Sequence, residues 1–169
     1  EGLRLTKPKL KVMGLEIVRS STPGSIREAL REAVRLVLTS DEENLQKYIE
    51  DVKKSFNEMS PEDIAFPRGC NNLVKYDSES DIYMKGNPIH VRGSLLYNHQ
   101  INKLDLTHKY ERIQDGDKIK FLYLKEPNSI GENTIAFVTK LPKEFNLKQY
   151  IDYETIFTKA FLDPLENII

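Results

Sequence analysis

The sequence predicts an α+β fold in which the helices are segregated from a small β-sheet. Three observations lead there. Two amphipathic helical patterns follow one another in the first third of the chain, separated by a short link. After Asp115-Gly116-Asp117 the apolar spacing changes from helical to alternating. There is neither a Gly-x-Gly-x-x-Gly nor a Gly-x-x-x-x-Gly-Lys loop, so a doubly wound nucleotide fold is not expected.

Residues 9–18, Lys-Leu-Lys-Val-Met-Gly-Leu-Glu-Ile-Val, alternate and end β-branched, which predicts a strand. Thr22 suits a helix N-cap and Pro23 the first helical position, where its missing N–H costs nothing. Ile26, Leu30, Ala33 and Val37 then share a face, predicting a helix over 23–38. Ser40 followed by Glu43 forms a capping box for a second helix to about residue 58, with Leu45, Ile49, Val52, Phe56 and Met59 inward. A short link between two such helices implies an antiparallel pair.

Ser60-Pro61 opens a short turn, and Pro67 and Gly69 read as chain breakers. Residues 69–88 read as irregular, with a short helix around 71–75, and a longer helix is expected from His90 to Ile101. Asp115-Gly116-Asp117 has the spacing of a metal-binding acidic pair, but a glycine between aspartates ahead of a strand reads as a hairpin turn. Ile119, Phe121 and Tyr123 alternate through one strand, and residues 134–138 supply another after Gly131-Glu132-Asn133. A last helix is expected over 152–162, with Ile156, Phe157 and Ala160 inward.

Of the 169 residues, 39% are hydrophobic and 30% charged, the balance of a globular protein. No apolar run is long enough to cross a bilayer, and the first residues do not read as a signal peptide. One cysteine, Cys70, makes no internal disulfide, and His90, His99 and His108 lack zinc spacing. Asp77-x-Glu79-x-Asp81 starts like a calcium loop, but Ile82 and Pro88 replace its glycine and bidentate glutamate. Net charge is −1, yet residues 1–39 and 64–125 are mildly basic while 40–63 and 126–169 are acidic. A polyanion could meet the basic stretches; a mixed solvated surface would look the same.

Met13-Gly14-Leu15-Glu16-Ile17-Val18-Arg19-Ser20-Ser21-Thr22-Pro23 resembles the strand by which the family B DNA polymerases leave the palm and enter the thumb. Lys7-Pro8-Lys9-Leu10-Lys11 is similar to the T-even phage branch. The resemblance continues in Asn71-Asn72-Leu73-Val74-Lys75-Tyr76-Asp77, His90-Val91-Arg92-Gly93 with Tyr97, Gly116-Asp117-Lys118, and Phe161-x-x-Pro164-Leu165. It implies that residues 1–22 end the palm and 23–169 form a helical thumb, with a small β subdomain at about 110–140 and one palm-derived strand ahead.

The function implied is a grip on primer–template duplex DNA. By position in these motifs, Arg19, Ser20, Ser21, Lys75, Tyr76, Lys85, His90, Arg92 and Lys159 become the DNA contacts. Such residues suit phosphates and sugars rather than base edges, as an enzyme that must hold any sequence requires. Each also has a plainer reading. Lys75 and Lys85 could be surface lysines, Tyr76 a core-edge aromatic, His90 a helix cap and Arg19 a partner of Glu16. Arg27, Arg31 and Arg35, interleaved with Glu28 and Glu32, read as a salt-bridged solvent face. Asp163 stands where the phage pattern has a second lysine.

The family's two metal-holding palm aspartates lie upstream of the Gly-Leu-Glu strand. No catalytic residue and no Mg2+ site is therefore expected in this chain, and alone it should be inactive as a nucleotidyltransferase. The expected partners are duplex DNA and the palm and exonuclease remainder of the polymerase, with a sliding clamp for the parent and no membrane. The relatives' aromatic clamp-binding tail has no counterpart in Glu166-Asn167-Ile168-Ile169, so a cut piece and a split-gene product both remain open. The expected location is the cytoplasm of the infected bacterial host. A free-standing accessory DNA-binding module and an oligomerising scaffold are the rival readings.

Overall fold

The computed structural model describes residues 22–39, 42–76 and 86–167. The strand expected at 9–18 and the capping serine at position 40 lie outside them. The chain divides into two compact units, one of residues 1–64 with 153–169 and the other of residues 65–152.

In the first unit, α1 (Gly24–Thr39) and α2 (Glu42–Phe56) pack on each other. α1 starts one residue later than the sequence suggests, because the Pro23 carbonyl accepts the Arg27 N–H and Pro23 takes the cap position. Ile26, Leu30, Ala33 and Val34 are buried, with Val34 taking the inner place expected of Val37. α2 buries Leu45 and Phe56, and a turn carries the chain on to Met59. The one-turn α3 (Pro61–Ile64) follows, where Ser60 Oγ donates to Asp63 Oδ2 at 3.0 Å.

The chain returns to this unit through α4 (Tyr153–Phe157), a π-helical turn (Thr158–Leu162) and α5 (Asp163–Glu166). Helical backbone therefore continues past Leu162. The Asp163 N–H reaches the Thr158 carbonyl, five residues back, directly before Pro164, which has no N–H to give. Ile156, Phe157, Ala160, Phe161 and Leu165 are buried. Phe56 meets Phe157 at 5.2 Å between ring centroids, and Tyr153 Oη donates to the Met59 carbonyl at 2.7 Å. A fully buried phenylalanine in such a cluster is worth about 3–5 kcal/mol against alanine.

The second unit is built on an antiparallel sheet of order β1-β2-β3: β1 (Phe66–Gly69), β2 (Lys118–Tyr123) and β3 (Thr134–Phe137). β1 corrects the expectation of a break at Pro67 and Gly69. Phe66 pairs with Phe121 and Pro67 with Lys120 on an edge of the sheet, where proline is tolerated because its missing N–H need not serve a second neighbour. The Asp115-Gly116-Asp117 turn exists, with Gly116 at φ 92°, but it joins no hairpin, since β2 pairs with β1 and β3. The short helix α6 (Leu73–Tyr76), the long helix α7 (Ile89–Lys103) and two 3-10 turns, Lys143–Phe145 and Lys148–Tyr150, belong to the same unit, and α7 packs on β2 and β3.

Candidate nucleic-acid interface

The His90-Val91-Arg92-Gly93 motif forms the first turn of α7, and each residue has a local task. Gly93 is where the helix meets β3, with room for no side chain without displacing strand backbone. Arg92 is half-buried, and its Nη2 donates to Asn133 Oδ1 at 2.8 Å, tying the helix start to the turn before β3. His90 is also half-buried, 6.5 Å from Phe121 between centroids. Burial lowers its pKa below the usual 6.5, and the Arg68 cation lowers it further, so at pH 7 the ring is a neutral donor or acceptor.

Phe66 stacks on Phe121 at 5.3 Å, and Phe121 meets Tyr123 at 5.9 Å, so His90 sits at the edge of an aromatic cluster. Exposed Arg68 lies on β1 beside it, a basic residue that sequence reasoning passed over. Only the strand assignment could have shown it, because Arg68 stands between the two residues read as breakers.

Lys75 is exposed on α6, which packs against α7, so the lysine and the His90–Arg92 turn belong to neighbouring elements of one unit. α6 is pinned from below. Asp115 Oδ1 accepts the Leu73 N–H at 2.7 Å, the Cys70 N–H meets the Asp117 carbonyl at 2.9 Å, and the Gly116 N–H meets the Cys70 carbonyl at 2.7 Å. Asp117 Oδ2 closes its own turn on the Gln114 N–H at 2.9 Å. Both aspartates thus act on backbone amides.

Tyr76 occupies the last position of α6, and Lys159 is exposed on the π turn of the other unit. Arg19, Ser20, Ser21 and Lys85 lie outside the described residues, as does the Asp77-x-Glu79-x-Asp81 segment. On α1, Arg31 and Arg35 pair with Glu28 and Glu32 at 2.6 and 2.5 Å on the exposed face, and Arg27 Nε donates to the Thr22 carbonyl. Among the described residues, no group of three His, Cys, Asp or Glu side chains is placed to hold a metal. None of the described helices is long and apolar enough to cross a membrane.

The chain is 36% identical over 172 residues to the DNA-directed DNA polymerase of Enterobacteria phage T4, covering 99% of this chain and 19% of that protein. It is 37% identical over 173 residues to the DNA-directed DNA polymerase of Escherichia phage RB69, covering 99% of this chain and 18% of the other. The chain is a relative of the T4-like phage DNA polymerases. It spans about a fifth of the length of those two enzymes, 19% and 18%. No protein-family model matches it. Against these polymerases the similarity runs through the whole chain, so both compact units are polymerase-derived.

Proposed function

We propose that this chain is the thumb of a T4-like phage replicative polymerase, with residues 1–22 contributing the last palm strand, and that it grips primer–template duplex DNA through phosphates. The observation that carries the proposal is the end-to-end similarity to two phage DNA-directed DNA polymerases over 99% of the chain. The local geometry is in keeping with it. Arg68 is exposed on β1 beside half-buried His90. Lys75 is exposed on α6, whose Leu73 N–H is held by the Asp115 carboxylate and which packs on the helix carrying His90 and Arg92. Lysine and arginine supply counterion release, while histidine, tyrosine and serine add donors that set register.

In this reading Arg19, Ser20, Ser21, Lys75, Tyr76, Lys85, His90, Arg92 and Lys159 meet sugar–phosphate backbone, and no residue of this chain performs phosphoryl transfer. The transfer belongs to the palm of the whole polymerase, in the cytoplasm of the infected host. Fluorescence anisotropy with duplex DNA of two unrelated sequences tests the grip. Both should bind alike, with a log–log salt slope of about −3 to −5 for four or five neutralised phosphates. A strong preference for one sequence, or self-association that ignores DNA, would refute it.

A further inference from the structure

We infer that Asp115 is a positioning residue for Lys75, an inference that rests on the DNA-contact reading of Lys75. α6 has a single turn, Leu73–Tyr76. One turn of helix fixes several backbone dihedrals for very few internal hydrogen bonds, so it does not hold itself together. Its first N–H groups also have no partners within the helix. Asp115, 42 residues away in sequence, supplies one acceptor: its Oδ1 takes the Leu73 N–H at 2.7 Å. The carboxylate thereby does the work of an N-cap from another part of the chain, and its charge opposes the positive end of the turn.

The approach to α6 is held by the same 114–117 turn. Cys70 exchanges backbone hydrogen bonds with Gly116 and Asp117, and Asn72 enters the helix at φ 68°. Lys75 stands two residues beyond the capped amide and is exposed. Loss of the cap frees α6 to fray, and the ammonium group then has to be ordered each time it meets a phosphate.

Charge and position act in opposite directions here, which makes the inference testable. A carboxylate near a polyanion site opposes binding by charge alone, so its removal should tighten binding unless the hydrogen bond matters more. Asp115→Asn removes the charge and keeps Oδ1; Asp115→Ala removes both.

The test measures duplex DNA affinity and salt slope for the 169-residue chain and its Lys75→Ala, Asp115→Asn, Asp115→Ala and Asp115→Ala/Lys75→Ala variants, with thermal unfolding as a check on folding. Lys75→Ala should weaken binding about tenfold and make the slope shallower by about 0.9. Asp115→Ala should weaken it about three- to tenfold with a similar change of slope. The double variant should be no weaker than Lys75→Ala alone, and Asp115→Asn should stay within about twofold of the parent. Should Asp115→Ala not fold, Asp115→Glu replaces it; the added methylene displaces the acceptor, so the same loss is expected. Wild-type affinity in Asp115→Ala beside a weakened Lys75→Ala overturns the positioning role alone. Additive losses in the double variant overturn it too. An inert Lys75→Ala overturns the underlying DNA reading of Lys75, and the inference with it.

Discussion

Gly93 of α7 lies so close to Ala136 of β3 that a Cβ on the glycine would stand 3.1 Å from the Ala136 amide nitrogen and 3.2 Å from its Cβ. The His90–Arg92 turn is held against the sheet by that approach. Gly93→Ala pits two effects against each other. Alanine is the better helix former by about 1 kcal/mol, whereas overpacking against strand backbone costs about 1–3 kcal/mol. Two of the three nearest atoms are strand backbone, of Ile135 and Ala136, and the third is the rigid Ala136 Cβ, so the steric cost should prevail. A net destabilisation of about 1 kcal/mol is expected in urea unfolding, and a stabilised variant would show that β3 yields freely.

Lys75→Ala and Arg92→Ala should each weaken duplex binding by about 1–2 kcal/mol, the scale of a hydrogen bond to a charged group. Arg92 also ties α7 to Asn133 at 2.8 Å, so Asn133→Ala serves as its control. If Asn133→Ala loses as much affinity as Arg92→Ala, the arginine acts by holding the turn before β3 and does not touch DNA. Arg27→Ala, on the helix whose Arg31 and Arg35 are ion-paired, should leave binding unchanged.

Acid should expose the tie between the loop at 106–110 and the 3-10 turn Lys143–Phe145. Glu144 accepts from Lys109 Nζ and from Tyr110 Oη, both at 2.7 Å, and these bonds hold its carboxyl down to about 2 against an ordinary 4.5. A depressed carboxylate stabilises the fold fully above the unfolded value and loses that contribution as pH falls toward the folded one. The stability difference between wild type and Glu144→Gln should therefore be flat above about pH 5.5 and shrink between about 4.5 and 2. High salt should reduce the difference, since the pair is open to solvent. A difference independent of pH would show that the glutamate is held by packing.

What the sequence made legible was local. The periodicity of Ile26, Leu30 and Ala33 and of Leu45 and Phe56 yields α1 and α2, and the alternation of Ile119 and Phe121 yields β2. What stayed hidden depends on partners far along the chain. Phe66–Gly69 is a strand only because Phe121 and its neighbours lie alongside, and its proline and glycine read in isolation as punctuation. Missing β1 meant missing Arg68 as a neighbour of His90. Asp115 was legible as a turn residue, but its hydrogen bond to Leu73 was not, because nothing within a turn's reach of either residue announces it. The π turn was invisible for another reason: slipping a hydrogen bond by one residue leaves the apolar spacing nearly unchanged.

His90 offers the last prediction, in which stability and binding respond differently to pH. Burial against the sheet lowers its pKa below 6.5, the Arg68 cation adds to the effect, and its place in the first turn of α7 sets it near the positive end of that helix. A histidine whose folded pKa is depressed contributes its full stability above 6.5, where both states are neutral. Below that the unfolded chain takes the proton first, so urea midpoints should fall from pH 7.5 to 5.5. Arg68→Ala removes the neighbouring cation and lets the folded pKa rise, which should flatten the fall. DNA binding should behave otherwise. A neutral imidazole releases no counterion, so the salt slope should be the same at pH 7 and pH 8. His90→Gln keeps a donor and an acceptor and should cost no more than a neutral hydrogen bond, about 0.5–1.5 kcal/mol. A slope that steepens by about 0.9 between pH 8 and 7, and does so only with His90 present, would mean that the ring meets phosphate as a cation and that the field of Arg68 does not govern it.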